Sequence, residues 1–206
     1  MNQSYPNAAG GLKMLFLAQI LSIVNIVLAV IAAGMTAAAL LTGDLGGASF
    51  MLILVLIVSI VACVLQILGL LKAGNDDAGY RTPLYAAVGV LVIAVLNYFL
   101  GSVPIVGTLL SIISTVLSFI VVNGVCQTSG NLLHSVGNEA LVDRGNTVSK
   151  IYFICTIISV ICSIIGIIPV LNILAGLVSI VAAIVQLVGY IMYLTFLSSG
   201  SKALAQ

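Results

Sequence analysis

Among the polar side chains inside otherwise apolar tracts of this chain, seven are the candidates for chemistry: Gln19, Asn25, Gln66, Asn97, Asn123, Thr156 and Gln186. Amides and hydroxyls carry donors and acceptors but no charge, so the chemistry open to them is hydrogen bonding. An unpartnered amide in hydrocarbon costs several kcal/mol, and these residues are expected to turn inward. There they either bond pairwise between helices, at about 0.6 kcal/mol each in a bilayer, or line a site for an uncharged solute. The same tracts contain no Asp, Glu, Lys or Arg. Ion-coupled pumps, voltage sensors and carboxylate cation sites use such charges within the membrane, so the composition weighs against these classes.

Other reactive residues are sparse. His134 is the only histidine, which rules out a metalloprotease His pair, and no Gly-x-Ser-x-Gly elbow or phosphate-binding glycine loop with Lys is present. Cys155 and Cys162 lie two turns apart with no further ligand at metal spacing, and Cys63 and Cys126 stand alone. Buried thiols of this kind behave as small hydrophobes. The expectation is a protein that is not an enzyme, with no catalytic residue, cofactor or metal.

Small residues recur every fourth position. Ala29, Ala33 and Ala37 form one such stripe, Cys155, Ser159 and Ser163 a second, and Ala175, Ser179 and Ala183 a third. Small-xxx-small stripes let helix backbones approach where no hydrophobic force drives association. Most serve packing inside one chain. The Ala29 stripe, on the longer of the two single-span tracts, is the better candidate for contact with another membrane protein or with a second copy in a homo-oligomer.

The elements that must position these residues follow from composition. Of 206 residues 62% are hydrophobic and 5% charged, against roughly 25% charged in soluble proteins. Six basic and five acidic residues leave no footprint for nucleic acid. The lipid bilayer is the partner this composition demands. A hydrocarbon core of about 30 Å takes about 20 apolar helical residues. Met14–Leu41 and Phe50–Leu71 each supply one span. The tracts from Leu84 to Cys126 and from Ile151 to Leu197 are twice that length and are broken at Gly101-Ser102-Val103-Pro104 and around Pro169. The fold class is therefore an all-α integral membrane protein of six transmembrane helices, arranged as three tandem antiparallel hairpins. A cleaved signal peptide is a poor reading of the first tract, which is too long and lacks a charged leader.

With six spans, Lys13, Lys72, Arg81, Arg144, Lys150 and Lys202, every basic residue, fall on one side together with both termini, while the other receives Asp44. The positive-inside rule makes the basic side cytoplasmic, which gives N-in and C-in topology in a plasma (inner) membrane. Tyr80, Tyr85, Tyr152, Tyr190 and Tyr193 lie near that boundary, as an interfacial belt does.

The hairpins, 12–75, 82–131 and 149–201, resemble one another within one transmembrane domain, 1–206. Ser59, Gln66 and Gly69 repeat as Ser179, Gln186 and Gly189, and the middle hairpin has Ser114, Val121 and Gly124 at that spacing. This favours a parallel triplication. Gly74, Gly130 and Gly200 suit C-caps of the second helices. Leu132, Leu133, Val136, Ala140 and Leu141 predict a short amphipathic helix on the cytoplasmic surface within 131–145. Two functions fit: a non-enzymatic scaffold or accessory subunit acting through helix packing, or a small transporter, channel or permease component for a neutral or amphipathic solute. What separates them is whether the amides converge on a cavity or pair off between helices.

Overall fold

The computed structural model describes residues 4–42, 46–101, 103–166 and 172–206, and the side chains of 39–42, 46, 48, 104, 172–175 and 177 are outside that description. The secondary structure is helical throughout: α1 Pro6–Thr42, α2 Gly46–Ala73, a 3₁₀ turn Ala78–Tyr80, α3 Arg81–Leu100, α4 Pro104–Ser135, α5 Glu139–Ile165 and α6 Asn172–Ala203. Hydrocarbon leaves a backbone no partner but itself, which makes a helix the natural form of each apolar tract. Six helices are long and apolar enough to cross a membrane, and the chain is a polytopic integral membrane protein. At 1.5 Å per residue, the 37 residues of α1 run to about 55 Å, well beyond a bilayer core, whereas the 20 of α3 just match it.

Each helix packs against its neighbours in sequence, and α6 closes on α1, so the six form a ring. The lightest seam between sequence neighbours is α2 with α3. Packing is uneven along the axis. Leu12, Leu15, Leu70, Tyr80, Val125, Leu133, Val148, Tyr193, Phe196, Leu197 and Leu204 are wholly or almost wholly buried, and all lie in the half that carries the basic residues. Toward the other end, the buried apolar side chains are smaller or fewer, among them Ala32, Ala62, Leu110 and Ala182. The basic half is a solid core, and the opposite half is splayed.

Polar clasps fix the basic end. The Asp76 carboxylate accepts from the Asn7 amide at 2.8 Å and from the Ala8 backbone N–H at 2.7 Å, so it caps the start of α1 from the end of α2. Tyr80 and Ser129 share a buried hydroxyl–hydroxyl bond of 2.7 Å. The Tyr5 N–H donates to the Leu204 carbonyl at 2.9 Å and ties the two ends of the chain together.

The expected surface helix within 131–145 is absent as a separate element. α4 runs on to Ser135, the chain turns through Val136–Asn138, and α5 starts at Glu139. Gly137, at φ 76°, makes the turn, and the Asn138 side chain caps α5 by accepting from the Leu141 N–H. Leu132, Leu133 and Leu141 are buried in the protein core instead of lying on a membrane. Their periodicity continues that of the spans, so it marked helix extension. The expected caps Gly130 and Gly200 lie inside α4 and α6 for the same reason, and Gly137 is the only positive-φ residue among those described. His134 and Glu139 face each other across the turn at 3.2 Å, both exposed.

Candidate functional site

Within the ring lies a cavity of about 380 Å³ to which all six helices contribute. Gln19 comes from α1, Gln66 from α2, Thr156 from α5 and Gln186 from α6. Ser114 and Ser118 of α4 and Ser159 of α5 add hydroxyls, and Phe119, Tyr152 and Tyr190 add rings. A second, wider cavity of about 850 Å³ adjoins it through Ser159 and Gln186. It lies between α3, α4, α5 and α6 in the splayed half and carries Asn97, Thr108, Ser111, Ser163 and Ser179. Among the described residues, neither wall contains Asp, Glu, Lys, Arg or His.

The seven intramembrane polar residues divide into two groups. Asn25 donates to the Ser59 hydroxyl at 2.7 Å, a bond between α1 and α2, while its own buried carbonyl oxygen has no partner. Asn123 accepts from Ser149 of α5 and from Gln127 one turn on, at 3.3 Å in the latter case. These two join helices and line neither of the two cavities. Gln19, Gln66, Thr156 and Gln186 line the inner cavity and Asn97 the outer one. The three glutamine side chains make no hydrogen bond to another described residue. Gln66 and Gln186 both line the inner cavity, and neither has the expected polar partner on another helix. What they face is open space.

The floor of the inner cavity is aromatic. The Tyr190 hydroxyl donates to the backbone carbonyl of Gln19 at 2.6 Å, locking α6 to α1. Behind it, Tyr152 and Tyr193 meet edge to face, with centroids 6.1 Å apart. Beneath these rings begins the solid core of the basic half.

The small-residue stripes also divide. Ala29, Ala33 and Ala37 are exposed, and the buried alanine of that region is Ala32. Ser159 and Ser163 on α5, with Ser179 and Ala183 on α6, line the cavities. There the small side chains leave room between helices that do not close on each other. Ala175 is outside the described side chains. Close helix contact occurs elsewhere. A Cβ on Gly69 would stand 2.9 Å from the Gly11 carbonyl oxygen, one on Gly124 2.9 Å from the Pro83 ring, and one on Gly189 2.7 Å from Ile151. These are the three glycines that the hairpin spacing aligns, each pressed on the preceding helix of its own pair.

Tyr152, Tyr190 and the hydroxyls of α4 are lining residues absent from the sequence-based set. A signal for the last existed: Thr108, Ser111, Thr115 and Ser118 recur at intervals of three and four, which places them on one helix face. All four cysteines are free, and no metal-holding cluster occurs among the described residues. No protein-family model, curated protein or solved structure matches the chain.

Proposed function

We propose that this protein is a non-enzymatic transporter, channel or permease component that admits a neutral solute into its central cavity. The observation that carries this reading is the convergence of Gln19, Gln66 and Gln186, from three helices, on one cavity with their amides unbonded to protein. A chain that used these residues only to hold helices together would pair them, as it pairs Asn25 with Ser59 and Asn123 with Ser149. Polar groups left facing a cavity call for water or a solute.

In this reading the basic end, with both termini, is cytoplasmic by the positive-inside rule, and the membrane is the plasma (inner) membrane. The wide cavity then opens to the outside, and the tyrosine floor closes the cytoplasmic side. Passage requires the floor to part, and the Tyr190 bond to the Gln19 carbonyl is the contact to break. The three like pairs of helices support descent from one repeated hairpin.

A scaffold or accessory subunit is the second reading, favoured by the exposed stripe of Ala29, Ala33 and Ala37, a surface suited to a partner helix or another copy. Cysteine labelling separates the two. In a background with the four native cysteines replaced, single cysteines at Ser111, Ser163 and Gln186 should react with a membrane-impermeant thiol reagent added outside. Protection of all three with reagent supplied on both sides of the membrane would mean a dry, closed bundle, and the transport reading would fall.

A further inference from the structure

Resting on the transport reading, we infer that the solute is a small uncharged polyhydroxyl compound, a polyol or single-ring sugar, held by Gln19, Gln66 and Gln186. Charge is the first discriminator. An ion entering this cavity would give up hydration with no countercharge among the described wall residues to replace it. Hydrogen-bonding capacity is the second. Each amide presents two N–H donors and a carbonyl acceptor, and a hydroxyl is donor and acceptor at once. Several hydroxyls on adjacent carbons answer three amides arriving from α1, α2 and α6 together. An apolar solute would leave all three amides unpaired, and sites of this construction reject ligands that lack the bonding group by large factors.

Shape and wall chemistry agree with that class. Position 121 on α4, in register with Gln66 and Gln186, is valine, and Phe119, Tyr152 and Tyr190 also line the cavity. The wall is thus polar on one part and apolar on another, as a sugar ring is polar at its edge and C–H-rich on its face. The inner volume of about 380 Å³ lies near the lower end of small-molecule sites, roughly 300–1,000 Å³, which suits one ring and excludes an oligomer. Ser159, shared by both cavities, lines the way in.

The test is uptake of labelled solutes by vesicles containing the full chain, with glycerol, xylitol and glucose set against gluconate and urea. At least one of the first three should enter faster than into protein-free vesicles and be competed by its unlabelled form. Gluconate, which keeps the hydroxyls and adds a carboxylate, should not. Gln66→Leu and Gln186→Leu should each lower that uptake about tenfold with melting temperature unchanged. Should a leucine variant fail to fold, Gln66→Asn or Gln186→Asn keeps the amide but withdraws it by one methylene, and should lower uptake about threefold. Entry of gluconate as fast as glucose, or of urea with no polyol entering, would overturn the polyhydroxyl class and leave transport standing. Polyol uptake unchanged in folded variants would remove the glutamines from the site. Entry of no solute would overturn the transport reading itself.

Discussion

Asp76 shows how much one polar side chain can govern at the margin of an apolar molecule. Its two oxygens satisfy the Asn7 amide and the N–H of Ala8, a residue with no solvent exposure. Asp76→Ala leaves that N–H buried and unpaired and removes the negative charge from the positive end of α1's dipole. The expected cost is about 1–2 kcal/mol, read as a lower melting temperature in detergent. Asp76→Asn, which retains one acceptor, should lose less. An equal loss in both variants would place the effect in the charge alone. That each intramembrane amide sits inside a long apolar helix was legible in the sequence, because the apolar tracts run on past it to both sides. The rotation of each about the helix axis was not. These helices are apolar on every side, so no polar face sets the angle at which Gln66 points to the cavity and Asn25 to Ser59.

Among the elements, glycine decides which helices touch. Gly69 of α2 lies against the Gly11 carbonyl and the Met14 and Leu15 side chains of α1. A methyl there meets backbone, which cannot rotate away, so Gly69→Ala should part the two helices and cost about 1–3 kcal/mol. A methyl on Gly34 of α1 would have nothing within 4 Å. Gly34→Ala should be neutral or stabilising by up to about 1 kcal/mol. Comparing the two melting temperatures checks the assignment of close and open contacts, and equal behaviour would refute it. Six spans were readable because two of the tracts are double length with a Gly or Pro break. Helix ends were less readable: Gly130 and Gly200 resemble stops, yet a glycine inside a helix costs only about 1 kcal/mol, which packing offsets. Gly200 lies near Leu12 and Leu133 side chains and Gly145 against the Phe196 ring, both within the buried core.

At the scale of the whole molecule the two ends are unlike. The basic half is sealed by Tyr80, Tyr193, Phe196 and their neighbours, and the other half holds the larger cavity between separated helices. Placing the basic end in the cytoplasm yields a labelling prediction. Cysteines introduced at Asn75 and Asn138 should react with an impermeant reagent only after the membrane is breached, and one at Val103 should react in intact cells. Reaction of Asn138→Cys in intact cells would overturn the orientation and with it the direction in which the cavity opens.

The meeting of α6 with α1 also has a consequence in time. A ribosome delivers α1 before α6, and the contact between them, with the Tyr190 bond to Gln19 and the Tyr5 bond to Leu204, forms only once α6 has been made. Until then the flank of α1 that bears Gln19 and Ser22 has no sixth helix beside it, and its amide must be sheltered by lipid headgroups, water or the insertion machinery. The nascent protein is thus most vulnerable just before α6 enters, and a chain that stops before Asn172 keeps that flank of α1 uncovered for good.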